Sequence, residues 1–510
     1  MSVDQLASRP RPVPEQRPVH RPNTILEYLW SHRLAGLGTA TAVAVAAGLL
    51  SAWLTPRGPL TTAQALASMA AAFVVGGAVG LVTRSRWSLL LAPVVFVTVV
   101  ELSRIDLDGL TVDAISLGSF MGVAALVVGR GVHGILVLGP MVVGALYGVW
   151  LATRLGGAAK VMRRLGWTVT VLATAGLLLI AAVVARPAST EPIVGADGEP
   201  LAGSIAELAT VEIGGHDQVL MIRGTGVENP VLLFLAGGPG GTEIGGMRAD
   251  ESLEQDFVVV TWDQRGTGKS YPAIDPTETL TVDQMVADTI EVTNYLRDRF
   301  DADKVYLVGQ SWGTVLGTLA VQQRPELYHA YVGTGQMVSL RETDLMFYED
   351  TLAWAEQTGN DGLAQTLIAN GPPPYDDVRD YEPVVSYEHD WNPYPGLASL
   401  VEMPMNLFVS ENSALDIVNG ARGLADTYSV LYPQLQDIDF RRDVTRLEVP
   451  TYLVQGAHEA RGRAVLADAW FATLEAPSKQ LIRFEESGHR PSFEEPDAFH
   501  AVMTELVLTD

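Results

Sequence analysis

The sequence predicts a chain in two parts: an α-helical transmembrane region, then an α/β domain whose mainly parallel sheet is covered by helices on both faces. Three observations predict this architecture. Residues 1–186 carry 15 Lys and Arg against 7 Asp and Glu, whereas residues 187–510 carry 19 against 52. Long apolar runs fill the first part, and the mean hydropathy of the chain is positive, at +0.19. In the second part, short β-branched runs alternate with helical patterns.

The composition also excludes some classes of site and partner. The chain has no cysteine, which excludes disulfides, thiolate metal sites and a cysteine nucleophile. The acidic second part disfavours a nucleic-acid partner. No cofactor and no metal are expected, so the predicted partners are a small substrate and the lipid bilayer, and the oligomeric state stays open.

We expect residues 1–32 to form a basic disordered tail and residues 33–186 to form the membrane region. A span needs about 20 apolar residues. The first, second, fifth and sixth apolar runs are long enough, whereas the third and fourth are short and could be re-entrant or partial. No run contains an acidic or basic residue, which favours an anchor or helix bundle over a transporter. The runs are Leu34–Leu54, Ala65–Val82, Ser88–Val100, Ala114–Gly129, Gly134–Ala152 and Trp167–Ala185.

The positions of the basic residues predict an orientation. The N-terminal arginines, Arg84, Arg86 and the cluster from Arg154 to Arg164 should be cytoplasmic. Because that cluster precedes the last run, we expect a multi-pass membrane protein whose acidic part is extracellular. Six spans would return this part to the cytoplasm, so one of the two short middle runs must fail to cross.

Residues 187–202 are rich in Pro, Gly and Ala and predict a linker to a domain at 203–510. Thr281-x-x-Gln284 predicts a capping box at the start of a helix that runs to Phe300. Six strands are predicted, at Val219–Ile222, Val231–Leu235, Phe257–Thr261, Val305–Val308, Thr451–Val454 and Gln480–Phe484.

The segment Gly309-Gln310-Ser311-Trp312-Gly313 lies between a predicted strand and an apolar helical stretch. A serine at such a turn points outward, and small glycines permit the bend. The G-x-S-x-G pattern is weak alone, but its position between strand and helix makes Ser311 the candidate nucleophile.

A serine nucleophile needs a base and an acid that orients the base. Three late histidines could supply the base: His458, His489 and His500. We favour His489, because it follows the last predicted strand and the nucleophile precedes the acid and the histidine in this arrangement. Glu459 follows the strand Thr451–Val454 and is our candidate acid, with Asp468 as its rival.

The oxyanion of an acyl-transfer reaction needs backbone N–H donors. Gly237 and Gly238 lie in a Gly- and Pro-rich turn after an early strand, and Trp312 follows the nucleophile. These three N–H groups are the candidate oxyanion hole. An ordinary loop is the alternative for the glycine turn.

In combination, these motifs resemble those of the prolyl iminopeptidase-like branch of the α/β-hydrolase superfamily over roughly residues 203–510. The family's HGGPG, DQRGxGxS and GxSWG motifs correspond to residues 236–240, 263–270 and 309–313. Two residues depart from the pattern: Ala236 replaces a histidine that could brace the first loop, and Glu459 replaces the commoner aspartate. The resemblance implies an α/β-hydrolase fold with a helical cap at about 338–440.

The resemblance also implies a function. We expect a membrane-anchored serine hydrolase, an aminopeptidase that removes an N-terminal residue from short peptides through an acyl-enzyme. Residues 341–440 carry 3 basic and 18 acidic residues, which would attract a free amino group, although a solvated acidic surface explains them equally well. The alternatives are a carboxylester hydrolase with the same triad and a catalytically silent sensor, which only Ala236 favours.

Overall fold

A computed structural model of the protein describes residues 24–155, 164–394, 396 and 404–509. Within these residues, eight strands form one sheet in the order β1-β2-β4-β3-β5-β6-β7-β8. β1 pairs with β2 and β2 with β4 in antiparallel register, and every other pairing is parallel. The predicted mainly parallel sheet is confirmed. The strands are β1 Ile205–Ile213, β2 His216–Gly224, β3 Val231–Leu235, β4 Val258–Asp263, β5 Val305–Gln310, β6 Tyr328–Thr334, β7 Thr451–Gly456 and β8 Lys479–Phe484.

The sequence predicts six of these strands and misses β1 and β6. β1 is an edge strand that stays half-exposed, with Glu207 and Glu212 among its residues, so it lacks a continuous apolar run. β6 is interrupted by His329 and Gly333, and tertiary packing rather than β-branched composition keeps it in the sheet.

Helices cover both faces of the sheet because alternate residues of each strand point to opposite sides. Leu233 and Leu307 belong to the hydrophobic cluster under one set of helices, whereas Leu232 and Val308 belong to the cluster on the other face. The helices that follow the membrane region are α7 Ile244–Ala249, α8 Val282–Phe300, α9 Trp312–Gln323, α10 Leu340–Thr358, α11 Asp361–Asn370, α12 Glu382–Val385, α13 Glu388–Trp391, α14 Ala414–Leu431, α15 Phe440–Asp443, α16 Arg461–Thr473, α17 Pro491–Glu494 and α18 Pro496–Ala501.

Helices α10 to α15 lie between β6 and β7 and form a helical insertion over the carboxyl ends of the strands. Helix α8 begins at the predicted position, where the Thr281 hydroxyl accepts from the Gln284 N–H at 3.1 Å. The Gln284 side chain does not complete a capping box. It donates instead to Asp288 at 2.7 Å, because this fully buried carboxylate needs donors.

Six helices precede the sheet among the described residues: α1 Ile25–Ser31, α2 Arg33–Leu54, α3 Thr62–Thr83, α4 Ser88–Ser103, α5 Phe120–Leu155 and α6 Arg164–Val184. By length and composition, α2, α3, α5 and residues 166–184 of α6 could cross a membrane, while α4 is apolar but has only 16 residues. Helix α1, which Thr24 caps, shortens the predicted tail. Residues 1–23 of that tail lie outside the described part of the chain.

The prediction that the fourth and fifth apolar runs are separate segments is wrong. The structure joins most of both into α5, one helix of 36 residues. Arg130 and His133 divide the runs in the sequence, but the helix continues through them because Arg130 is satisfied by neighbours. Its guanidinium donates to Glu101 at 3.1 Å and to the carbonyl of Val112 at 2.9 Å. In the part of the chain that the structure describes, the N-terminal region therefore has five apolar helices, α2 to α6.

Candidate active site

Ser311 occupies the sharp turn between β5 and α9. Its φ of 53° makes it one of three non-glycine residues with positive φ in the described part of the chain. A Cβ atom on Gly309 would lie 2.6 Å from the Gly313 carbonyl oxygen, and one on Gly313 would lie 2.1 Å from that of Leu235. Both neighbours must therefore be glycine, and the turn presents the serine at the carboxyl edge of the sheet.

His489 and Glu459 meet Ser311 at this edge. The His489 Nε2 atom lies 2.9 Å from the Ser311 Oγ atom, and His489 Nδ1 lies 2.7 Å from Glu459 Oε2. The three residues follow β5, β7 and β8, whose carboxyl ends share one edge of the parallel sheet. One imidazole tautomer satisfies both contacts: Nδ1–H donates to the carboxylate, and Nε2 accepts from the hydroxyl. The structure thus brings the three candidate residues into one hydrogen-bonded chain.

Glu459 is buried and ionised in a basic environment. Its Oε1 atom accepts from the Arg463 Nε at 2.7 Å and from the Ala460 N–H at 2.9 Å. Burial by itself would raise the pKa of the Glu459 carboxyl. The charges of Arg463 and His489 and their hydrogen bonds to the carboxylate outweigh this effect and lower the pKa from 4.5 to about 2. The carboxylate can therefore stabilise a positive charge on the imidazole.

The rival residues lie elsewhere. Asp468 is on α16, where its side chain is 43% exposed and accepts from Arg483 at 2.6 Å. His500 pairs with Asp256 at 2.8 Å, and the His458 ring stacks near Tyr394 with centroids 6.2 Å apart. None of these three contacts involves Ser311.

The glycine turn lies directly against the serine. A Cβ atom on Gly237 would be 3.4 Å from the Ser311 Cβ, and Gly238 has a φ of 132°, which side chains disfavour. Trp312 is the first residue of α9, so its N–H is one of those that the helix itself leaves unused. The structure thus places the N–H groups of Gly237 and Trp312 on the turns that flank Ser311.

Gln264 is a site residue to which the sequence assigned no role. Its side-chain Nε2 donates to the Ala236 carbonyl at 3.1 Å, and its Oε1 accepts from the Trp312 indole at 2.9 Å. This buried amide links the glycine turn to the serine turn, so the loop is braced although Ala236 has no polar side chain. The signal was available in the Asp263-Gln264-Arg265-Gly266 motif, but spacing alone does not show which turns a side chain joins.

A cavity of about 300 Å³ opens beside Ser311 and His489. Leu407 and Leu424 supply apolar wall. Besides His489, the charged or titratable lining residues are Glu243, Glu388, His389, Tyr394 and Arg490. Each of the two glutamates is held by an arginine: Glu243 by Arg490, and Glu388 by Arg463. Among the described residues, no cluster of three or more His, Asp or Glu side chains could hold a metal ion.

Residues 230–496, more than half of the chain, match the family model described as alpha/beta hydrolase fold. The chain belongs to the α/β-hydrolase family. This α/β hydrolase is also 33% identical over 300 residues to a probable aminopeptidase of Bacillus subtilis (strain 168), in a match that covers 58% of this chain and 94% of the relative. It is 26% identical over 279 residues to a probable proline iminopeptidase of Leptolyngbya boryana, covering 51% and 80%. These matches confirm the fold class and the prolyl iminopeptidase-like resemblance, and the chain is a hydrolase of the α/β fold.

Solved structures are also similar to part of this α/β hydrolase. A proline iminopeptidase-related protein from Thermus thermophilus is 21% identical, with a TM-score of 0.42, over 60% of this chain and 98% of that one. The proline iminopeptidase of Mycobacterium smegmatis is 16% identical, with a TM-score of 0.42, over 59% and 98%.

Proposed function

We propose that this protein is a membrane-anchored serine hydrolase that acts as an aminopeptidase on short peptides. The hydrogen-bonded chain from Ser311 through His489 to Glu459, at the edge of a cavity, carries the proposal. The aminopeptidase-named relatives support the substrate class. A carboxylester hydrolase would use the same three residues, so substrate choice depends on the cavity.

In the proposed reaction, Ser311 Oγ attacks the carbonyl carbon of the N-terminal residue while its proton passes to His489 Nε2. Glu459 stabilises the resulting imidazolium, and the N–H groups of Gly237, Gly238 and Trp312 hold the oxyanion. The C–N bond breaks, and the imidazolium proton leaves with the shortened peptide as its amine. Water then hydrolyses the aminoacyl ester on Ser311 with His489 as base, which frees the amino acid and the serine.

A substrate panel with a serine variant tests the chemistry. Purified protein should cleave aminoacyl arylamides, and Ser311→Ala should lower kcat by roughly 10³-fold or more and abolish labelling by a fluorophosphonate. Ser252→Ala is the matched control, because Ser252 lies outside the cavity and donates only to the neighbouring Asp250, and it should keep full activity. If the protein cleaves only esters, it is a carboxylester hydrolase and the aminopeptidase proposal is wrong. If no reaction depends on Ser311, the remaining hypothesis is a catalytically silent sensor.

In this proposal, Glu388 binds the free amino group of the substrate. Of the two carboxylates in the cavity wall, Glu388 belongs to the helical insertion and has the more exposed side chain, 18% against 6% for Glu243. Its contact with Arg463 uses one of its two oxygens. Glu388→Gln should raise KM about tenfold for peptides with a free amine, since a charge-assisted hydrogen bond is lost.

The matched control for this variant is Glu356→Gln, at an exposed position of α10 and outside the cavity, which should behave as wild type. The KM of N-acetylated esters should not change in Glu388→Gln, because these substrates carry no ammonium. An equal rise in KM for both substrate classes would contradict amine recognition by Glu388.

The same proposal places the hydrolase outside the cell. The segments after α2 and after α4 contact the hydrolase domain, as when Arg57 donates to Asp275 at 2.9 Å and Thr111 donates to Asp426 at 2.7 Å. In this topology the 16-residue helix α4 also crosses, which gives five crossings. The other helix ends and their basic residues then lie in the cytoplasm, as the positive-inside rule requires, and the domain lies on the opposite side. The basic residues at those ends include Arg33, Arg84, Arg86 and Arg154.

Because the chain has no cysteine, single-cysteine variants can report the topology. The exposed residues Ser31 and Ala196 lie before α2 and after α6. A membrane-impermeant maleimide should label Ala196→Cys in intact cells, and Ser31→Cys only after the membrane is breached. The reverse pattern would place the hydrolase domain in the cytoplasm.

A further inference from the structure

Helix α14 of the helical insertion lies between the membrane region and the candidate active site. Its Leu415, 2% exposed, packs in the hydrophobic cluster of the membrane helices. Conversely, Leu110 and Ala125 of the membrane region belong to the main hydrophobic core beneath the sheet. The two regions thus share buried side chains, which a flexible tether between independent units would not produce.

Asp426 of α14 is fully buried and takes donors from the membrane region. The N–H and the hydroxyl of Thr111, in the segment between α4 and α5, donate to it at 2.7 and 2.6 Å. Arg57, in the loop between α2 and α3, lies 3.5 Å from the same carboxylate. Tyr271 is a further donor, from the hydrolase domain itself.

Arg422, one turn earlier on α14, is also fully buried. It donates to the carbonyl oxygens of Pro59 and Val128, each at 3.0 Å, and Asn419 donates to that of Leu60 at 2.8 Å. All three carbonyls belong to the membrane region. Buried charges are stable only when they are paired or hydrogen-bonded, so α14 depends on these loops for its position.

The other side of α14 contacts the turns around Ser311. A Cβ atom on Gly240 would lie 2.2 Å from the Gly423 carbonyl oxygen, so the glycine turn and the helix pack backbone against backbone. The Thr427 hydroxyl donates to the Gly266 carbonyl at 2.6 Å, and Leu424 lines the cavity. Because packing this close leaves no space for adjustment, a shift of α14 would move the glycine turn.

We propose that Asp426 and Arg422 are positioning residues through which the membrane region holds α14 in place. Helix α14 in turn holds the glycine turn, residues 237–240, against Ser311. The membrane region is then a structural part of the active site as well as an anchor. This inference rests on the proposed function, in which N–H groups of the glycine turn bind the oxyanion. Donors that stabilise an oxyanion must be placed within a few tenths of an ångström, so a small displacement is costly.

The first experiment uses full-length protein in lipid nanodiscs. Thr111→Val removes one donor to Asp426 but keeps the shape and the backbone N–H, and should lower kcat about fivefold with little change in KM. The affinity for an α-aminoboronic acid, whose adduct with Ser311 places an oxygen in the oxyanion hole, should fall by the same factor. Arg57→Met should have the larger effect, about tenfold or more.

The conservative variant Thr111→Ser keeps the hydroxyl and should recover most of the loss. Thr98→Val makes the same change at an exposed position of α4 and should equal wild type. A kcat and a boronate affinity unchanged in both Thr111→Val and Arg57→Met would overturn the positioning role. So would a loss that appears only in KM.

A second experiment tests the interface without using activity. A protease site is inserted at the exposed turn at residues 197–198 of the linker and cut in the nanodisc-bound protein. The hydrolase part should remain with the disc on gel filtration, held by the contacts of α14, and its separation would overturn the interface. If the parts stay together but wild type shows no Ser311-dependent hydrolysis, the proposed function and the positioning role fail, and the interface stands.

Discussion

Among the individual side chains of the site, Arg463 supports the candidate triad from outside it. It lies one helical turn after Glu459 and donates to two carboxylates, Glu459 and Glu388. Its guanidinium also lies over the Phe347 ring, 4.8 Å from the centroid. Because Arg463 offsets the cost of burying Glu459, it keeps that carboxylate ionised beside His489.

Arg463→Met should therefore impair catalysis mainly at acidic pH. Without the guanidinium, the pKa of Glu459 rises from about 2, since burial still opposes its charge. This rise moves the acid limb of the kcat/KM profile to higher pH, because a protonated Glu459 cannot stabilise the imidazolium, and kcat/KM on the acid side of the optimum should fall about tenfold.

The control is Arg461→Met on the same helix, where Arg461 is 47% exposed and pairs with Asp350. Its pH profile should match that of wild type. An Arg463→Met profile that keeps the wild-type acid limb would show that Arg463 serves packing alone.

Among the secondary-structure elements, local sequence accounts for the turns that hold the site. The serine turn at residues 309–313 and the Thr281 cap follow from residue type, because glycine and a capping hydroxyl meet requirements of the backbone itself. The capping box was only half right, since the Gln284 side chain bonds to Asp288 instead. That partner comes from burial, which a four-residue pattern does not contain.

Thr281→Ala should lower the free energy of unfolding by about 1 kcal/mol, because α8 loses its N-cap acceptor. Thermal unfolding in nanodiscs checks this, and kcat should not change, since Thr281 is outside the cavity. Thr366→Ala, an exposed threonine within α11, is the control and should cost nothing. Equal unfolding temperatures for wild type and Thr281→Ala would contradict the assigned cap.

For the molecule as a whole, stability should depend on pH through buried carboxyls. Burial raises the pKa of Asp263 and of Asp344 to about 6, above the ordinary value of 3.8. Glu459 has the opposite shift, to about 2 from 4.5. The excess of negative charge in residues 187–510 adds self-repulsion as pH rises.

We predict that Asp263 and Asp344 make the protein less stable as pH rises from about 4 to about 6. Asp263 and Asp344 bind protons more tightly in the folded chain, so their contribution, at most about 3 kcal/mol each, is present at low pH and lost through this interval. The contribution of Glu459 is lost only below pH 4.5. Asp344→Asn should flatten the fall in unfolding temperature, whereas Asp390→Asn, at an exposed position, should not. A slope unchanged by Asp344→Asn would contradict this assignment.

Residue order and composition were enough to predict the fold class and the candidate residues Ser311, Glu459 and His489, because each follows a recognisable strand and their chemistry requires a fixed order. They also located the apolar segments, since crossing a bilayer demands a composition that is visible in one dimension.

Only the tertiary structure shows that α5 is one continuous helix. Arg130 can lie within it because its guanidinium donates to Glu101 and to carbonyls of a preceding segment. The same holds for the pairing of Arg463 with Glu388 and for the contacts of α14 with the membrane loops. The physical reason is common to all three: a buried charge is stable only with its partners, and those partners are chosen by the fold rather than by neighbours along the chain.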